Sequence, residues 1–495
     1  MLMAITYTQS PLFSSNQHQY FLHGMAQAGL GSLKEDWLAG TVEPTPLFTL
    51  LVEWVLRLLQ QPLWFYGIYA LLMGLYLCSL LGILDFVFSI RSSRIKLIIT
   101  VTLILAAHSA LLRYVLGALF GANWMFLLDG GVAGQRLLGT VLQPSAFGVL
   151  LILSLYLFVA EKPIWASVTA ALAACVHPTY LLSAGLLVAG YMLQSGYIEK
   201  NLRRAMAVGL SGLVVVMPML WYVFSNFWVS EGAEKARTIL AEIRIPHHAL
   251  ANVWFDVTSL IKIFLVIAGL LLVRNHKKLF TPLCVIFCFS VALSLYQVYR
   301  DDLFLALIFP WRPSALLVPI ASSLVLANIG TWINERIARA NPKWERCIAY
   351  SCTVTILLLC LGGLLGMVQA NEAAQQMDQN KMQDWVRTNS KYGDSYLIPV
   401  DLETFRTATL RPIYVDFFSI PYSNKDVIKW YHRLLSANKF YDTGECRELF
   451  HIQHDAGINH VVMRKNDKQP KCEGMRVVHK DSDFIIYKLT RIIKF

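Results

Sequence analysis

The amino-acid sequence predicts a mainly α, polytopic helical membrane protein, with about ten spans followed by a small extracytoplasmic α/β domain. Of 495 residues, 56% are hydrophobic and only 15% charged, where a soluble domain carries about a quarter charged residues. The apolar residues are grouped into runs near the ~20 residues that a helix needs to cross a ~30 Å hydrocarbon layer. Lys and Arg, which give a formal charge of +11, come in short clusters between those runs, as topology signals do. A simple cytosolic enzyme is excluded, and no nucleic-acid partner is expected.

In chain order, residues 1–63 read as an outer segment holding a first loop and amphipathic helices. Met1 to Phe13 is apolar but too short to span, and no basic residue precedes it as in a signal peptide. A longer native start supplying a first span upstream would resolve this. Residues 64–369 read as the multi-span domain. Its apolar runs are Trp64 to Phe88, Ile95 to Leu112, Pro144 to Ala160, Ile164 to Leu193, Ala205 to Phe224, Val257 to Val273, Leu279 to Val298, Leu303 to Ile329 and Cys347 to Gln369. His177 and Pro178 interrupt the fourth, which predicts two short helices meeting near one membrane face.

Orientation follows from the basic clusters. Arg91, Arg94 and Lys96, then Lys200, Arg203 and Arg204, then Arg274, Lys277 and Lys278, then Arg336, Arg339, Lys343 and Arg346 fall in alternate loops. All four clusters then face the cytoplasm. The first loop, the loops Arg113 to Gln143 and Ser225 to Asp256, the short YRDD at Tyr299 to Asp302, and the tail then face outward, which makes the tail extracytoplasmic.

Residues 370–495 are polar enough for a soluble domain. The pattern predicts a helix at Ala373 to Thr388, strands at Tyr396 to Val400 and Arg411 to Phe417, a helix at Asn424 to Ala437, and strands near Ile458 to Arg464, Met475 to His479 and Phe484 to Leu489. Seven cysteines sit in or beside apolar runs, where a thiol behaves as a small hydrophobe. Cys446 and Cys472 alone lie in the tail, a candidate disulfide pair in an oxidising compartment.

The chain carries no P-loop, no dinucleotide glycine fingerprint and no zinc spacing. Chemistry is therefore sought at the outer face. Glu35 and Asp36 form an acidic pair between two amphipathic stretches. Carboxylates at headgroup depth are suited to taking a proton from a hydroxyl, or to holding a divalent cation such as Mg or Mn against a phosphate; the bland alternative makes Asp36 a helix cap and Glu35 a solvated charge. The glycine-rich loop GANWMFLLDGGVAGQRLLGTVLQPSAFG offers Asp129, Gln135, Arg136 and Gln143, with Arg136 suited to a phosphate; re-entrant packing with a solvated arginine is the alternative. His177 in HPTY precedes a helix start that can receive an anion, or marks a tight turn. Arg312, between two prolines in IFPWRPS, is a charge in an apolar run and is expected to face a cavity or partner. Arg300 in YRDD is a further candidate, or an ordinary interfacial charge.

An acidic residue in the first outer loop, flanking amphipathic helices, many spans and an extracytoplasmic carboxy-terminal domain together resemble the C-type (GT-C) glycosyltransferase superfamily. More closely, EDWLAGTVEPTP, LLGTVLQPSAFGVLL, HPTYLL and the segment Asp384 to Leu434 resemble bacterial multi-span GT-C-like proteins without assigned chemistry. The resemblance implies sugar transfer from a polyprenyl-linked donor to a glycan, lipid or protein acceptor at the outer face. It makes Asp36, with Glu35 beside it, the catalytic or metal-associated carboxylate, and arginines such as Arg136, Arg300 and Arg312 the phosphate ligands. The tail lacks a WWDYG-type motif, so protein N-glycosylation is not expected. The competing expectations are a transporter or flippase of a lipid-linked substrate, and a non-catalytic partner in glycan assembly. The sugar-transfer reading leans on an Asp36 side chain open to the outer lipid boundary.

Overall fold

The computed structural model describes residues 1–228, 231–338, 342–378 and 381–490. Arg339, one of the basic residues used for orientation, lies outside them. The chain forms two compact units, of which the first comprises residues 1–10, 65–224 and 241–369, and the second residues 11–64, 225–240 and 370–495.

The first unit is helical and membrane-spanning. Six helices among the described residues are long and apolar enough to cross a bilayer: Trp64–Phe88, Pro178–Ile198, Leu202–Phe227, Lys277–Arg300, Ser314–Arg336 and Trp344–Ala374. Arg94–Ala107 and Ala110–Phe120 make a further candidate, bent by 47° where His108 and Ser109 interrupt them. Three shorter apolar helices, Pro144–Val159, Pro163–Val176 and Val257–Val273, account for the remaining expected spans. Side-chain caps open several of these helices, with Ser93 accepting from the Lys96 N–H, Ser109 from Leu112 and Asp256 from Ser259. The helix Leu202–Phe227 is only 17% buried within the protein, and Trp344–Ala374 only 11%, so both present apolar flanks for lipid to cover. Close helix contacts use small residues. Gly190 backs onto Pro282 and Gly269 onto Ala321 so tightly that an added Cβ would come within 2.5 and 2.7 Å.

One expected span is not continuous. The run Leu303 to Ile329 divides into a short helix Leu303–Ile308 and the long Ser314–Ala338. Pro310 and Pro313 lack the N–H that continued helix needs, and Phe309 turns the chain at φ 56°.

The second unit is α/β. Its sheet has the order β1 (Tyr396–Leu397), β2 (His460–Arg464), β4 (Phe484–Leu489), β3 (Met475–Lys480). β1 and β2 are parallel and the other pairs antiparallel. Trp430, Leu434 and Phe440 of the helix Asn424–Thr443 pack against the sheet with Ile452 of the helix Cys446–Ala456. Ala236 and Ile239 join the same core. The expected strand Arg411 to Phe417 is irregular: its backbone bridges the sheet at Tyr396–Ile413, while Ile413, Tyr414 and Val415 pack into the cores beside it. Cys446 and Cys472 are disulfide-bonded, with Cα atoms 5.3 Å apart.

Candidate functional site

The structure moves the early carboxylate away from the role expected of it. Asp36 belongs to the second unit and its side chain is fully buried. Its Oδ1 accepts from the N–H groups of Leu38 at 2.9 Å and Ala39 at 3.4 Å. Its Oδ2 accepts from Arg406 Nε at 2.9 Å and the Ile413 N–H at 3.0 Å. Arg406 also donates to Asp416 at 2.6 Å, so one buried guanidinium holds two carboxylates. Burial pushes the Asp416 carboxyl up from its ordinary range, and Arg406 and the Ser419 N–H pull it back. An aspartate with both oxygens occupied in this way is an anchor for the loop between Ser32 and Thr41, with no lone pair turned to an acceptor hydroxyl. A divalent cation does not fit there either, since the guanidinium already supplies the positive charge. Among the described residues no three His, Cys, Asp or Glu side chains gather into a metal-binding group. Glu35 is exposed, with its carboxylate against the Tyr392 hydroxyl.

The sugar-transfer expectation as it rested on an open Asp36 is therefore lost, and a base must be sought elsewhere; a different carboxylate, buried and without hydrogen bonds, lies in the first unit. The loop after the helix Ala110–Phe120 folds back on itself through a Gly130–Arg136 bridge. The reversal is a two-residue turn closed by Gln135 N–H to Val132 O at 3.1 Å, with Ala133 at φ 54° and Gly134 at φ 65°. Two positive φ values are the mark of a type I′ turn, whose twist suits a hairpin. The hairpin is pinned at three points. Val132 N–H donates to Ser314 Oγ at 2.9 Å, Lys262 Nζ to Gly131 O at 2.9 Å, and His248 Nδ1 to Ala133 O at 2.6 Å.

Asp129 sits at the base of this hairpin, 6% exposed, and neither carboxylate oxygen makes a hydrogen bond. A buried carboxylate without hydrogen bonds is costly unless opposite charge lies nearby. Arg113, Arg136 and Lys262 supply that charge: they and Asp129 share one electrostatic neighbourhood with Tyr7 and Tyr69. The two arginines are held by other groups. Arg113 donates to the carbonyls of His108 and Tyr7, and its guanidinium lies over the Tyr7 ring; Arg136 lies 3.9 Å from the Phe126 ring centroid. The cations therefore neutralise Asp129 through space and leave its oxygens unclaimed.

Arg312 continues the cluster. Its guanidinium donates to Gln135 Oε1 and lies 4.8 Å from the Tyr180 ring, which His177 meets edge-on at 5.4 Å. Arg312 Nε and the indole N–H groups of Trp254 and Trp311 are buried donors without a partner. The two indoles, 5.0 Å apart, border a largely apolar cavity of about 530 Å³ that Lys262, Val266 and Leu295 also line.

Of the residues named from sequence, Arg136, His177 and Arg312 meet around this hairpin. Gln143 is half-buried beside Gly139, at the start of the turn Pro144–Gly148. Arg300 is exposed as the last residue of Lys277–Arg300, and no hydrogen bond or ion pair ties it to the cluster among the described residues. Lys262 was not singled out, although a lysine within the run Val257 to Val273 carries the same signal as Arg312. Asp129 was noted only as one polar residue among glycines.

Comparison with known proteins gives three findings. A domain of unknown function (DUF6798) matches residues 378–437. No curated protein matches the chain. Among solved structures, ArnT from Cupriavidus metallidurans bound to undecaprenyl phosphate is similar over 98% of this chain and 95% of its own, at 10% identity and a TM-score of 0.50. The oligosaccharyltransferase AglB from Archaeoglobus fulgidus, in complex with an inhibitory peptide and a dolichol-phosphate, aligns over 94% of this chain and 64% of its own, at 12% identity and a TM-score of 0.41. The likeness to ArnT gives the chain a GT-C-like fold.

Proposed function

We propose that the chain is a GT-C-type membrane glycosyltransferase, taking a sugar from a polyprenyl-phosphate-linked donor and passing it to an acceptor hydroxyl at the outer face of the inner membrane. The observation that carries this reading is the buried, hydrogen-bond-free Asp129 carboxylate among Arg113, Arg136 and Lys262, of which Lys262 also lines an apolar cavity together with Trp254 and Trp311. Such a donor has an isoprenoid tail to bury and a phosphate to neutralise. The cavity suits the tail, and Lys262, which lines it, suits the phosphate.

In the reaction the acceptor oxygen bonds to the anomeric carbon as the bond from that carbon to the phosphate oxygen breaks. The acceptor proton passes to Asp129, and the electron pair of the broken bond leaves with polyprenyl phosphate, whose second negative charge the cations stabilise. The acceptor hydroxyl supplies the hydrogen-bond donor that the Asp129 oxygens lack. No nucleotide site is needed, since the donor arrives already activated.

The test uses purified protein in lipid nanodiscs with a panel of polyprenyl-phosphate sugars. Asp129→Asn should reduce turnover by about 10²-fold or more, as removal of a general base does. Lys262→Met should lower it by a similar order, as loss of one charge-stabilising donor does. Wild-type turnover in Asp129→Asn would end the reading, and movement of a labelled lipid across the bilayer without transfer would favour a flippase.

A further inference from the structure

The second unit contains a cavity of about 490 Å³ that the sugar-transfer reading does not use, within the size range of small-molecule sites. It is lined by the apolar side chains of Met25, Leu30, Leu56 and Leu410 and by the polar residues His18, Ser15, Thr404 and Gln60. The charged residues in its lining are Arg387 and Glu403, and Arg387 is already paired with Asp384 at 2.6 Å, so the site has no free positive charge with which to select an anion.

His18 gives the cavity its polarity. The ring is 3% exposed and its Nδ1 lies 2.7 Å from Thr407 Oγ1. The Thr407 hydroxyl donates its own proton to Thr404 O at 3.1 Å, so it can only accept from His18. Nδ1 is therefore the protonated nitrogen, and Nε2 is left as a lone-pair acceptor. Burial and the charge of Arg406 hold the imidazole neutral by pushing its pKa down to about 4. A fixed acceptor of this kind calls for a hydroxyl donor on the ligand.

The chain along one wall is also held in an uncommon conformation. Phe13 and Ser15, both lining the cavity, have φ values of 59° and 52°, a left-handed region that residues with a Cβ seldom adopt. Two hydrogen bonds fix the segment there, Phe13 N–H to Gln17 Oε1 at 2.7 Å and Ser14 Oγ to Pro11 O at 2.6 Å. Strained residues of this kind cluster at ligand sites, and here two of them line one cavity.

We propose that this cavity binds a neutral saccharide bearing an apolar attachment, with its hydroxyls read by His18 Nε2, Ser15 and Thr404 and its attachment laid against Met25, Leu30, Leu56 and Leu410. A saccharide offers adjacent hydroxyls that both donate and accept, which these polar residues require. An anionic headgroup would find Glu403 as readily as Arg387. The site lies in a different unit from Asp129 and does not depend on that residue's role.

The test measures binding of radiolabelled n-octyl β-D-glucoside, below its micellar concentration, to the full chain in nanodiscs, with empty nanodiscs as baseline. Octyl phosphate and octanol serve as comparators. Saturable binding of the glucoside is expected, at least tenfold tighter than either comparator. His18→Phe, which removes the acceptor, and Ala408→Leu, which fills the cavity from its wall, should each weaken it tenfold or more, and Asp129→Asn should not. Should His18→Phe fail to fold, Ala408→Leu decides, because it leaves every polar group in place. Absence of saturable binding, equal binding of octyl phosphate or octanol, or unchanged binding in a folded Ala408→Leu protein would overturn the proposal.

Discussion

Substituting Asp36 by Asn separates an anchoring carboxylate from a catalytic one. The aspartate accepts from four donors, two on each oxygen. An asparagine offers one oxygen, so its amide N–H₂ must face either Leu38 and Ala39 or Arg406 and Ile413. In either orientation buried donors lose their acceptor, at about 1–3 kcal/mol each. Arg406 also loses one of its two counter-charges. Breaking a buried ion pair costs about 3–5 kcal/mol, and Asp416, still 2.6 Å away, keeps the sum near that figure. For a unit of this size the loss corresponds to a fall in melting temperature of roughly 6–20 °C. The assay pairs thermal unfolding, followed by tryptophan fluorescence, with turnover per folded molecule. We expect a lower melting temperature and turnover within a few-fold of wild type at low temperature. Arg406→Met, which leaves two carboxylates facing one another, should destabilise more than Asp36→Asn. An unchanged melting temperature with turnover down by about 10²-fold or more would refute the anchoring account and restore Asp36 as base.

Three further outcomes follow from the geometry. Gly131→Ala should displace the Asp129 hairpin and reduce turnover sharply while the second unit melts normally, because the new Cβ would fall 2.4 Å from Ser314 Oγ and 2.5 Å from the Ala315 N; wild-type turnover would count against the hairpin as the site. Replacing Cys446 and Cys472 by Ser opens a loop with a sequence separation of 26, for which chain entropy gives a loss of about 3.5 kcal/mol, readable as a lower denaturant midpoint. In acid, His18 contributes instability: its pKa of about 4 in the folded protein lies below the ordinary 6.5, so the unfolded chain binds a proton that the folded one refuses. Stability should therefore fall as the pH drops from about 6.5 to about 4, by at most about 3 kcal/mol from this residue, and the slope should flatten in His18→Gln; an identical slope would remove His18 as its source.

The spans were legible because burial in lipid leaves a linear record, a run of apolar residues long enough to cross. The break at His177 and Pro178 was legible for the same local reason. At Leu303 to Ile329 hydropathy hid a break that Pro310 and Pro313 announce, since averaging over the run outweighed two missing N–H groups. The irregular path of Arg411 to Phe417 follows from a partner elsewhere in the chain: the Ile413 N–H goes to Asp36 rather than to a strand. For Asp36 the capping alternative is the one the structure matches, through the Leu38 and Ala39 N–H groups; its second oxygen was illegible because Arg406 lies 370 residues away, and no local pattern reports such a pairing. Asp129 looked like a turn residue among glycines; what distinguishes it is the absence of any hydrogen bond to its oxygens, visible only once the loop is folded. Lys262 was within reach of sequence reasoning and passed unremarked.

The pairing of Asp36 with Arg406, and the packing of Ala236 and Ile239 into the core built on Trp430, constrain how the protein is made. The ribosome releases the three pieces of this unit at widely separated times, with membrane insertion of the intervening helices between them. Until the last piece emerges, Asp36 has no guanidinium and the small helix Ala233–Thr238 has no core to enter, so both wait in a solvated state. Assembly of the unit thus waits for its last piece, with the earliest and latest segments closing together. A carboxy-terminal fragment made alone would keep its sheet-forming sequence yet lack both the counter-charge and part of the packing, and should be recovered as a loosely packed species.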